Sequence, residues 1–210
     1  MTTFFLIRHG ETFANRCDYL QGTLDNEMTA LTAKGLFEAQ RYQHLLRRQR
    51  FDCVYTSPLK RAVKTSQIIC AQSELTAVVD ERLVEISYGH WNGMAIATLK
   101  RQYADYFDRE TNDVRPSSVQ ISNGESFDHA RSRLQSFLAE MAHQHPQATV
   151  LIITHGWIIK NIVALCLENS NGDAFKNPRN LSISKITIDG DSDKRRVCYY
   201  NRILKKADGG

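Results

Sequence analysis

Residues 3–12 have the sequence TFFLIRHGET, in which an apolar run stops abruptly at polar side chains. The short apolar run predicts a buried β-strand that ends at Arg8. Open α/β sheets bind their ligands in the crevice beyond the carboxyl ends of the strands. Arg8 and His9 therefore stand where a strand would deliver functional side chains. The sequence TVLIITHG at 149–156 repeats the pattern, with His155 directly after a second apolar run.

Outward from this stretch, strand-like segments alternate with segments of helical periodicity. Strands are predicted at 3–8, 51–57, 75–80, 149–156, 182–189 and 195–202. Helices are predicted at 32–49, 59–72, 95–106, 125–145 and 157–167. This alternation predicts an α/β fold, a three-layer α/β/α sandwich with a mostly parallel central sheet. We expect the last two strands to form an antiparallel edge.

The chain has 210 residues, which is long enough for one well-packed core and short for two domains. We therefore expect a single domain over residues 1–210. The segment 86–122 is less regular, because it contains glycine, tryptophan and many polar residues. We expect this segment to be a small lid insertion at the crevice.

The composition limits the partners that we expect. The formal net charge of +4 is spread along the chain, with acidic residues among the basic ones. This distribution suits a small anionic substrate and gives no reason to expect nucleic acid. Apolar windows do not approach the ~18 residues of a membrane helix, so we expect no membrane partner. An exposed sheet edge would offer a contact for a homodimer.

The five cysteines lie at positions 17, 53, 70, 166 and 198. Their number is odd, and none of them forms a CxxC pair. This pattern indicates reduced thiols in a cytoplasmic protein and no disulfide framework. We expect most of these thiols to be buried.

Side chains suited to phosphoryl transfer lie at or soon after the strand ends. They are Arg8, His9, Ser57, Arg61, Glu85 and His155. Guanidinium groups bind phosphoryl oxygens with planar, bidentate donor pairs. A neutral imidazole can attack phosphorus, and a protonated carboxyl can give its proton to the leaving alkoxide. Gathered at one edge of the sheet, these side chains would form a phosphoryl-transfer site.

Five ordered motifs carry a family resemblance. They are RHGET with Asn15, SPLKRAVKT at 57–65, LVEISYGHWNG at 83–93, NGES at 123–126, and THG at 154–156. With these motifs the chain resembles the histidine phosphatase superfamily, also called the phosphoglycerate mutase-like family. The match runs from residue 4 to about residue 165 and looks most like the phosphatase branch.

The resemblance implies a role for each matching residue. His9 would be the nucleophile that becomes phosphorylated, and Glu85 the general acid and then the base that activates water. Glu81 and Glu125 remain alternative candidates for that carboxyl. The residues implied in binding the phosphoryl group or substrate are Arg8, Asn15, Gln21, Gly22, Arg61 and His155. The resemblance implies no metal and no cofactor.

Three positions depart from the family pattern. The stretch QGTLDNEMTALT at 21–32 contains a longer loop, over residues 23–31, than the pattern has. Asn92 stands where the family has glutamate after the tryptophan, and Asn123 precedes the G-E-S motif. We expect these departures to affect specificity or packing more than the core reaction.

The same core residues serve a phosphatase and a mutase, and the choice depends on how the lid holds the intermediate. Mutases of the family use adjacent arginines in this segment to bind a substrate carboxylate. The cations of segment 86–122 are Lys100, Arg101, Arg109 and Arg115. Lys100 and Arg101 are adjacent but fall on a predicted helix. We therefore favour a metal-independent phosphomonoesterase that acts on a small phosphorylated metabolite. A mutase, and less so a catalytically weak binding module, are the alternatives.

Two other phosphatase chemistries fit the sequence poorly. The stretch ITIDGDSDK at 186–194 contains a DxD after a strand, but too little chain follows for an aspartyl phosphatase, and a hairpin turn explains it. A cysteine-based phosphatase needs arginine six positions after its cysteine, and none of the cysteines has one. We expect Trp91 to be a packing residue and leave open whether His90 lines the pocket.

Overall fold

The computed structural model describes residues 1–169 and 175–204, and one six-stranded sheet runs through them. The strands are β1 (Thr2–Arg8), β2 (Cys53–Thr56), β3 (Val78–Val79), β4 (Thr149–Thr154), β5 (Ile183–Ile188) and β6 (Arg195–Arg202). Their order across the sheet is β3-β2-β4-β1-β5-β6. β1 to β4 are parallel, whereas β5 runs antiparallel to β1 and β6 antiparallel to β5. The predicted sheet and its antiparallel edge are confirmed.

Helices cover both faces of the sheet. They are α1 (Phe13–Arg16), α2 (Ala33–Leu46), α3 (Lys60–Ile69), α4 (Ile96–Gln102), α5 (Val119–Ser122), α6 (Phe127–Gln144) and α7 (Gly156–Cys166). α6 and α7 share one hydrophobic core with the sheet, and α2 and α3 share the other. This is the predicted three-layer α/β/α sandwich. No helix in the described part of the chain is both long enough and apolar enough to cross a membrane.

Strand β1 connects the two cores because successive side chains of a strand point to opposite faces. Phe4 and Leu6 pack in the core with α6 and α7, and Phe5 and Ile7 pack in the core with α2 and α3. All four are buried. Burial of each such side chain contributes about 1.5–3 kcal/mol to folding, so the opening strand is fixed from both sides.

Side-chain caps set the starts of the two long helices. The Thr32 hydroxyl accepts a hydrogen bond from the Gly35 amide at 3.0 Å and begins α2. The Ser126 hydroxyl accepts from the His129 amide at 3.1 Å and begins α6. Each cap satisfies an amide that the first helical turn leaves without a partner.

Two elements are shorter than predicted. The strand predicted at 75–80 is reduced to Val78 and Val79, because β3 is the sheet edge and pairs only with Tyr55 and Thr56 of β2. The helix predicted at 95–106 ends at α4 and is followed by a 3₁₀ turn, Ala104–Tyr106. The break is at Tyr103, whose backbone leaves the helical region while its ring stacks on Trp91 at 5.1 Å.

Segment 86–122 has a small hydrophobic core of its own. Trp91, Leu99, Phe107 and Val114 are buried together, and the Trp91 ring stacks on Phe107 with 6.0 Å between centroids. Trp91 is therefore a packing residue, as predicted. That the segment acts as a lid stays a prediction.

All five cysteines are free thiols. Only Cys166 is buried, whereas Cys17 and Cys198 are exposed. The expectation that most of the thiols are buried is therefore wrong. Cys198 lies on β6, the outermost strand, and Cys17 caps the short helix α1.

Candidate active site

The parallel pairing of β1 and β4 brings the two predicted histidines together. Arg8, the last residue of β1, lies opposite Thr154, the last residue of β4. His9 and His155 each follow directly, so both leave the sheet at the same edge. Their ring centroids are 5.2 Å apart, with 60° between the ring planes. Residues far apart in the sequence thus become neighbours through strand register.

A pocket of about 150 Å³ lies at this edge. The predicted site residues that line it are Arg8, His9, Asn15, Gln21, Gly22, Arg61 and Glu85. His155 is fully buried beside His9 and does not line the pocket. A larger cavity of about 460 Å³ lies between the carboxyl ends of α2 and α3, but it holds none of the predicted site residues.

The His9 ring is oriented by its own loop. Its Nδ1 is 2.8 Å from the Gly10 carbonyl oxygen. A carbonyl oxygen only accepts, so Nδ1 carries the proton and Nε2 keeps its lone pair. Burial, with Arg61 and Arg8 close by, holds the pKa of His9 well below its usual range. The imidazole is therefore neutral, in the tautomer that a nucleophile requires.

Close backbone packing holds this loop against the sandwich. A Cβ at Gly35, in the first turn of α2, would lie 2.3 Å from the Glu11 carbonyl oxygen. The Gly10 amide donates to the Thr65 hydroxyl of α3 at 3.0 Å. The loop therefore contacts both helices of one face, which fixes the position of His9.

The two guanidinium groups are held by backbone carbonyls. Arg8 donates through Nη1 to the Pro178 carbonyl at 2.6 Å. Arg61 donates to the carbonyls of Leu24 and Gly22 at 2.8 and 2.7 Å. In both side chains Nε is buried and has no hydrogen-bond partner among the described residues. Each guanidinium thus keeps a donor for an anion in the pocket.

Both arginines keep their charge at neutral pH. Burial lowers the pKa of Arg61 to about 10, while Glu85 and Asp25 oppose the shift. Burial also lowers the pKa of Arg8, against the influence of Glu85. Because guanidinium groups start from a very high pKa, they stay protonated here, and the pocket is strongly cationic.

Glu85 is the carboxyl that faces this charge. It is half-buried at the pocket wall and accepts a hydrogen bond from the Ile86 amide at 3.1 Å. Burial raises its pKa, although Arg61 and Arg8 lower it in part. The alternative carboxyl Glu125 pairs with Arg133 at 2.9 Å, and neither it nor Glu81 lines the pocket. The geometry therefore favours Glu85 as the group that exchanges a proton.

Ser57 orients the second histidine. The Ser57 hydroxyl lies 2.6 Å from His155 Nε2, and it also accepts from the Leu59 amide at 3.3 Å. His155 Nδ1 is buried without a hydrogen-bond partner among the described residues. Burial, together with the positive charge of Arg61, holds the pKa of His155 well below its usual range. A hydroxyl that donates to Nε2 would leave a proton on Nδ1 and make that atom a donor.

Asn15 lines the pocket and also caps α1. Its side-chain oxygen accepts from the Thr12 amide at 3.2 Å and from Asn180 at 3.0 Å. Because the oxygen is used in this way, the amide NH₂ is the end that is left for a ligand. The capping role and the predicted phosphate contact are therefore compatible.

The longer loop starts at the pocket wall. The side-chain oxygen of Gln21 is 3.0 Å from the Thr12 hydroxyl, and Gly22 has a positive φ of 48°. A Cβ at Gly22 would lie 1.9 Å from Asn92 Oδ1, so a side chain is excluded there. Asn92, where the family has glutamate, donates to the Thr23 hydroxyl at 3.2 Å and ties segment 86–122 to this loop.

Sequence reasoning missed the uncharged part of the pocket lining. It is formed by Tyr19, Leu20, Tyr88, Ile96, Trp157 and Asn177. The segment 175–181 also supports the site, because Asn180 donates to the His9 carbonyl at 3.0 Å. The feature of the sequence that could have revealed this segment was the predicted antiparallel direction of β5. A loop that enters an antiparallel strand lies at the same sheet edge as the loops that leave its parallel neighbours.

The cations considered for carboxylate binding lie elsewhere. Lys100, Arg101, Arg109 and Arg115 do not line the pocket. Lys100 lies over the Phe107 ring at 5.9 Å, and Arg115 is 3.6 Å from Asp108. His90 also lies outside the pocket lining.

Comparisons with known proteins identify a family and a matching fold. The family model for the "Histidine phosphatase superfamily (branch 1)" matches residues 4–201. Phosphoserine phosphatase 1 of Hydrogenobacter thermophilus is 31% identical over 155 residues, 74% of this chain and 71% of that protein. The adenosylcobalamin/alpha-ribazole phosphatase of Escherichia coli is 29% identical over 160 residues, 76% of each chain. The solved structure of Bacillus stearothermophilus YhfR has a TM-score of 0.85 at 27% identity and covers 97% of this chain and 98% of its own.

Proposed function

Because the chain belongs to the histidine phosphatase superfamily, we propose that it is a metal-independent phosphomonoesterase that acts on a small phosphorylated metabolite through a phosphohistidine intermediate. The observation that carries the proposal is the pairing of His9 with His155, whose ring centroids are 5.2 Å apart, beside two guanidinium groups and a protonatable carboxyl. The relatives named above are phosphatases with different substrates, so the family alone does not supply this chain's substrate.

In the first step, His9 Nε2 attacks phosphorus and forms the N–P bond. The ester P–O bond breaks, and its electron pair goes to the leaving oxygen, which takes a proton from Glu85. Burial raises the pKa of Glu85, which keeps more of this carboxyl protonated than an exposed one. Arg8 and Arg61 donate to the phosphoryl oxygens and stabilise their charge. The implied contact with His155 Nδ1 requires a phosphoryl oxygen to enter beside His9, because His155 is buried behind the pocket lining. Asn15 adds a donor through its NH₂ group.

In the second step, water attacks the phosphohistidine. Glu85, now ionised, accepts a proton from this water, and the N–P bond breaks to release inorganic phosphate. The electron pair returns to His9 Nε2. Glu85 is thereby protonated again, so the enzyme regains its starting state.

The side chains that line the pocket are better suited to bind an anion than a metal ion. One carboxyl and one imidazole line the pocket beside two guanidinium groups, which would repel a cation. We therefore expect the charge of the transition state to be balanced by Arg8 and Arg61.

The family mutases are the alternative. Their pair of carboxylate-binding arginines has no counterpart in the pocket lining of the described residues. The pocket thus supports release of the phosphoryl group to water more than its return to a carboxylate-bearing substrate.

The test is hydrolysis of p-nitrophenyl phosphate by the purified protein, with and without EDTA, together with trapping of the phosphoenzyme from a ³²P-labelled ester. We expect turnover that EDTA leaves unchanged, and an acid-labile label at His9. A loss of activity in EDTA that magnesium restores, or a label on aspartate, would contradict the proposal. Isomerisation of 3-phosphoglycerate without phosphate release would favour the mutase.

A further inference from the structure

Part of the pocket lining consists of uncharged side chains. The described residues that contribute them are Tyr19, Leu20, Tyr88, Ile96, Trp157 and Asn177. Trp157 is buried and packs edge-on against Phe127 at 5.1 Å, so its ring is held in place. A leaving group here would meet aromatic and aliphatic surface and one polar side chain.

A buried lysine that shares its counter-ion with Asn177 is neutralised within the protein. Lys160 of α7 is buried, and its Nζ is 2.6 Å from the Asp113 carboxylate. Its side chain is only 4% exposed. Lys160 is therefore committed to an internal ion pair and is not presented to a ligand.

The same carboxylate orients Asn177. The side-chain nitrogen of Asn177 donates to the other oxygen of Asp113. A carboxylate only accepts hydrogen bonds, so the amide must point its NH₂ group at Asp113. The amide oxygen is then the end that does not face Asp113. Asn177 lines the pocket, and this oxygen is the end of its amide that Asp113 leaves for a ligand.

When a phosphoryl group is bound, its negative charge and the positive charges of the pocket balance, and no second anionic group is needed. A phosphoryl dianion would match the two guanidinium groups of Arg8 and Arg61 in charge. A second anionic group on the substrate would lose water against uncharged side chains, and the described pocket lining holds no cation besides Arg8 and Arg61 to compensate it.

We propose that the leaving group is an uncharged, hydroxyl-bearing alcohol, that Asn177 selects it by accepting a hydrogen bond from its hydroxyl group, and that carboxylate-bearing esters are disfavoured. This inference rests on the proposed phosphomonoesterase function. Asn177 is thus a specificity-determining residue of the pocket.

Two phosphomonoesters that differ in one group test this inference. Glycerol 3-phosphate has a hydroxymethyl group where 3-phosphoglycerate has a carboxylate. We expect kcat/KM to be about tenfold higher for glycerol 3-phosphate, since an uncompensated charge at a partly open mouth is penalised less than a fully buried one. The inhibition constants of both compounds against p-nitrophenyl phosphate hydrolysis should have the same order.

Equal or reversed preference, with p-nitrophenyl phosphate still hydrolysed, would overturn the inference and leave the proposed function standing. A protein that hydrolyses none of these esters would overturn both. The two failures are therefore distinguishable.

Variants at the pocket show which residue sets the preference between the two esters. Asn177→Lys replaces the acceptor with a cation, and we expect it to shift the ratio of kcat/KM values about tenfold toward 3-phosphoglycerate. Asn177 is exposed, so the variant should fold. The matched control is Lys176→Ala, because Lys176 is the exposed neighbour and does not line the pocket. An unchanged ratio in Lys176→Ala supports the inference. A specific loss of 3-phosphoglycerate turnover in that variant would place the carboxylate on Lys176 and overturn it.

Discussion

The two ends of the pocket are built in opposite ways. At the phosphate end, charged side chains come from strand ends, from the first turn of α3 and from the loop at Glu85, and each guanidinium is held by backbone carbonyls. At the leaving-group end, the lining side chains are uncharged and come from the loop at Tyr19 and Leu20, from segments 86–122 and 175–181, and from the start of α7. The sheet and α3 therefore position most of the proposed chemistry, and the other segments supply the surface that meets the rest of the substrate.

The two ends of the pocket should therefore differ in how well they tolerate substitutions. The phosphate end depends on strand register and on a close backbone approach at Gly35, so a small shift would displace several groups together. The leaving-group end depends on side chains such as Asn177, which is exposed. A change there can alter which ester is bound and still leave the position of His9 intact.

The largest effect is expected when the nucleophile is removed. His9→Ala should lower the kcat of p-nitrophenyl phosphate hydrolysis about 10⁴-fold or more, since no N–P bond can form. The matched control is His44→Ala, an exposed histidine on α2. Circular dichroism should show that both variants are folded. If His9→Ala kept activity close to that of the control, the phosphohistidine mechanism would be wrong.

The next effect is expected at the proton donor. Glu85→Gln should lower kcat about 10³-fold for an alkyl ester. With p-nitrophenyl phosphate, whose leaving group needs no proton, it should give a burst of p-nitrophenolate followed by slow turnover. Stopped-flow measurement of the product separates the two phases.

The pH dependence gives the same residue a second test. The acid must be protonated, so kcat/KM should fall as pH rises through the pKa of Glu85, which burial raises above its usual value. His9 must be neutral, and its pKa lies well below the usual range, so the nucleophile remains available at mildly acidic pH. Glu85→Gln should lose the alkaline decline; an identical decline in the variant would assign it to another group.

A smaller effect is expected at the residue that orients His155. Ser57→Ala removes the hydroxyl that lies 2.6 Å from His155 Nε2 and frees the ring to change tautomer. We expect kcat to fall roughly tenfold with little change in KM, and the pH profile to shift. Ser66→Ala is the control, because Ser66 is also buried but bonds to the Val63 carbonyl of α3. Equal kinetic effects in both variants would reduce the role of Ser57 to packing.

The last prediction concerns stability at the leaving-group end. Asp113→Asn leaves the Lys160 charge buried without its counter-ion, and we expect the free energy of unfolding to fall by about 3 kcal/mol. Urea denaturation measures this change in the free energy of unfolding, provided that the variant and the parent protein have the same m-value. Asp105→Asn, an exposed residue of the same segment, should change stability by less than about 0.5 kcal/mol. Equal effects at both positions would show that the ion pair is not what anchors the segment.

The sequence predicted the phosphate end well because its signals are local. An apolar strand that ends in Arg8 and His9, and a second that ends before His155, are visible in short windows, and parallel pairing makes their ends meet. The expectations that were wrong or missed depend on distant contacts. The third strand was predicted too long because a short window of sequence does not show whether a strand lies at the edge of the sheet. Asn177 was missed because its neighbour Asp113 lies far away in the sequence.

By itself, the sequence determined the fold class, the family and the set of residues that can carry phosphoryl transfer, because these follow from periodicity and from motifs in order. Only the tertiary structure decided which atoms are already used and which remain free. Hydrogen bonds to Gly10, Ser57 and Pro178 leave particular nitrogens available in His9, His155 and Arg8. The physical reason is that protonation and hydrogen bonding depend on burial and on neighbours in space, which the order of residues along the chain does not contain.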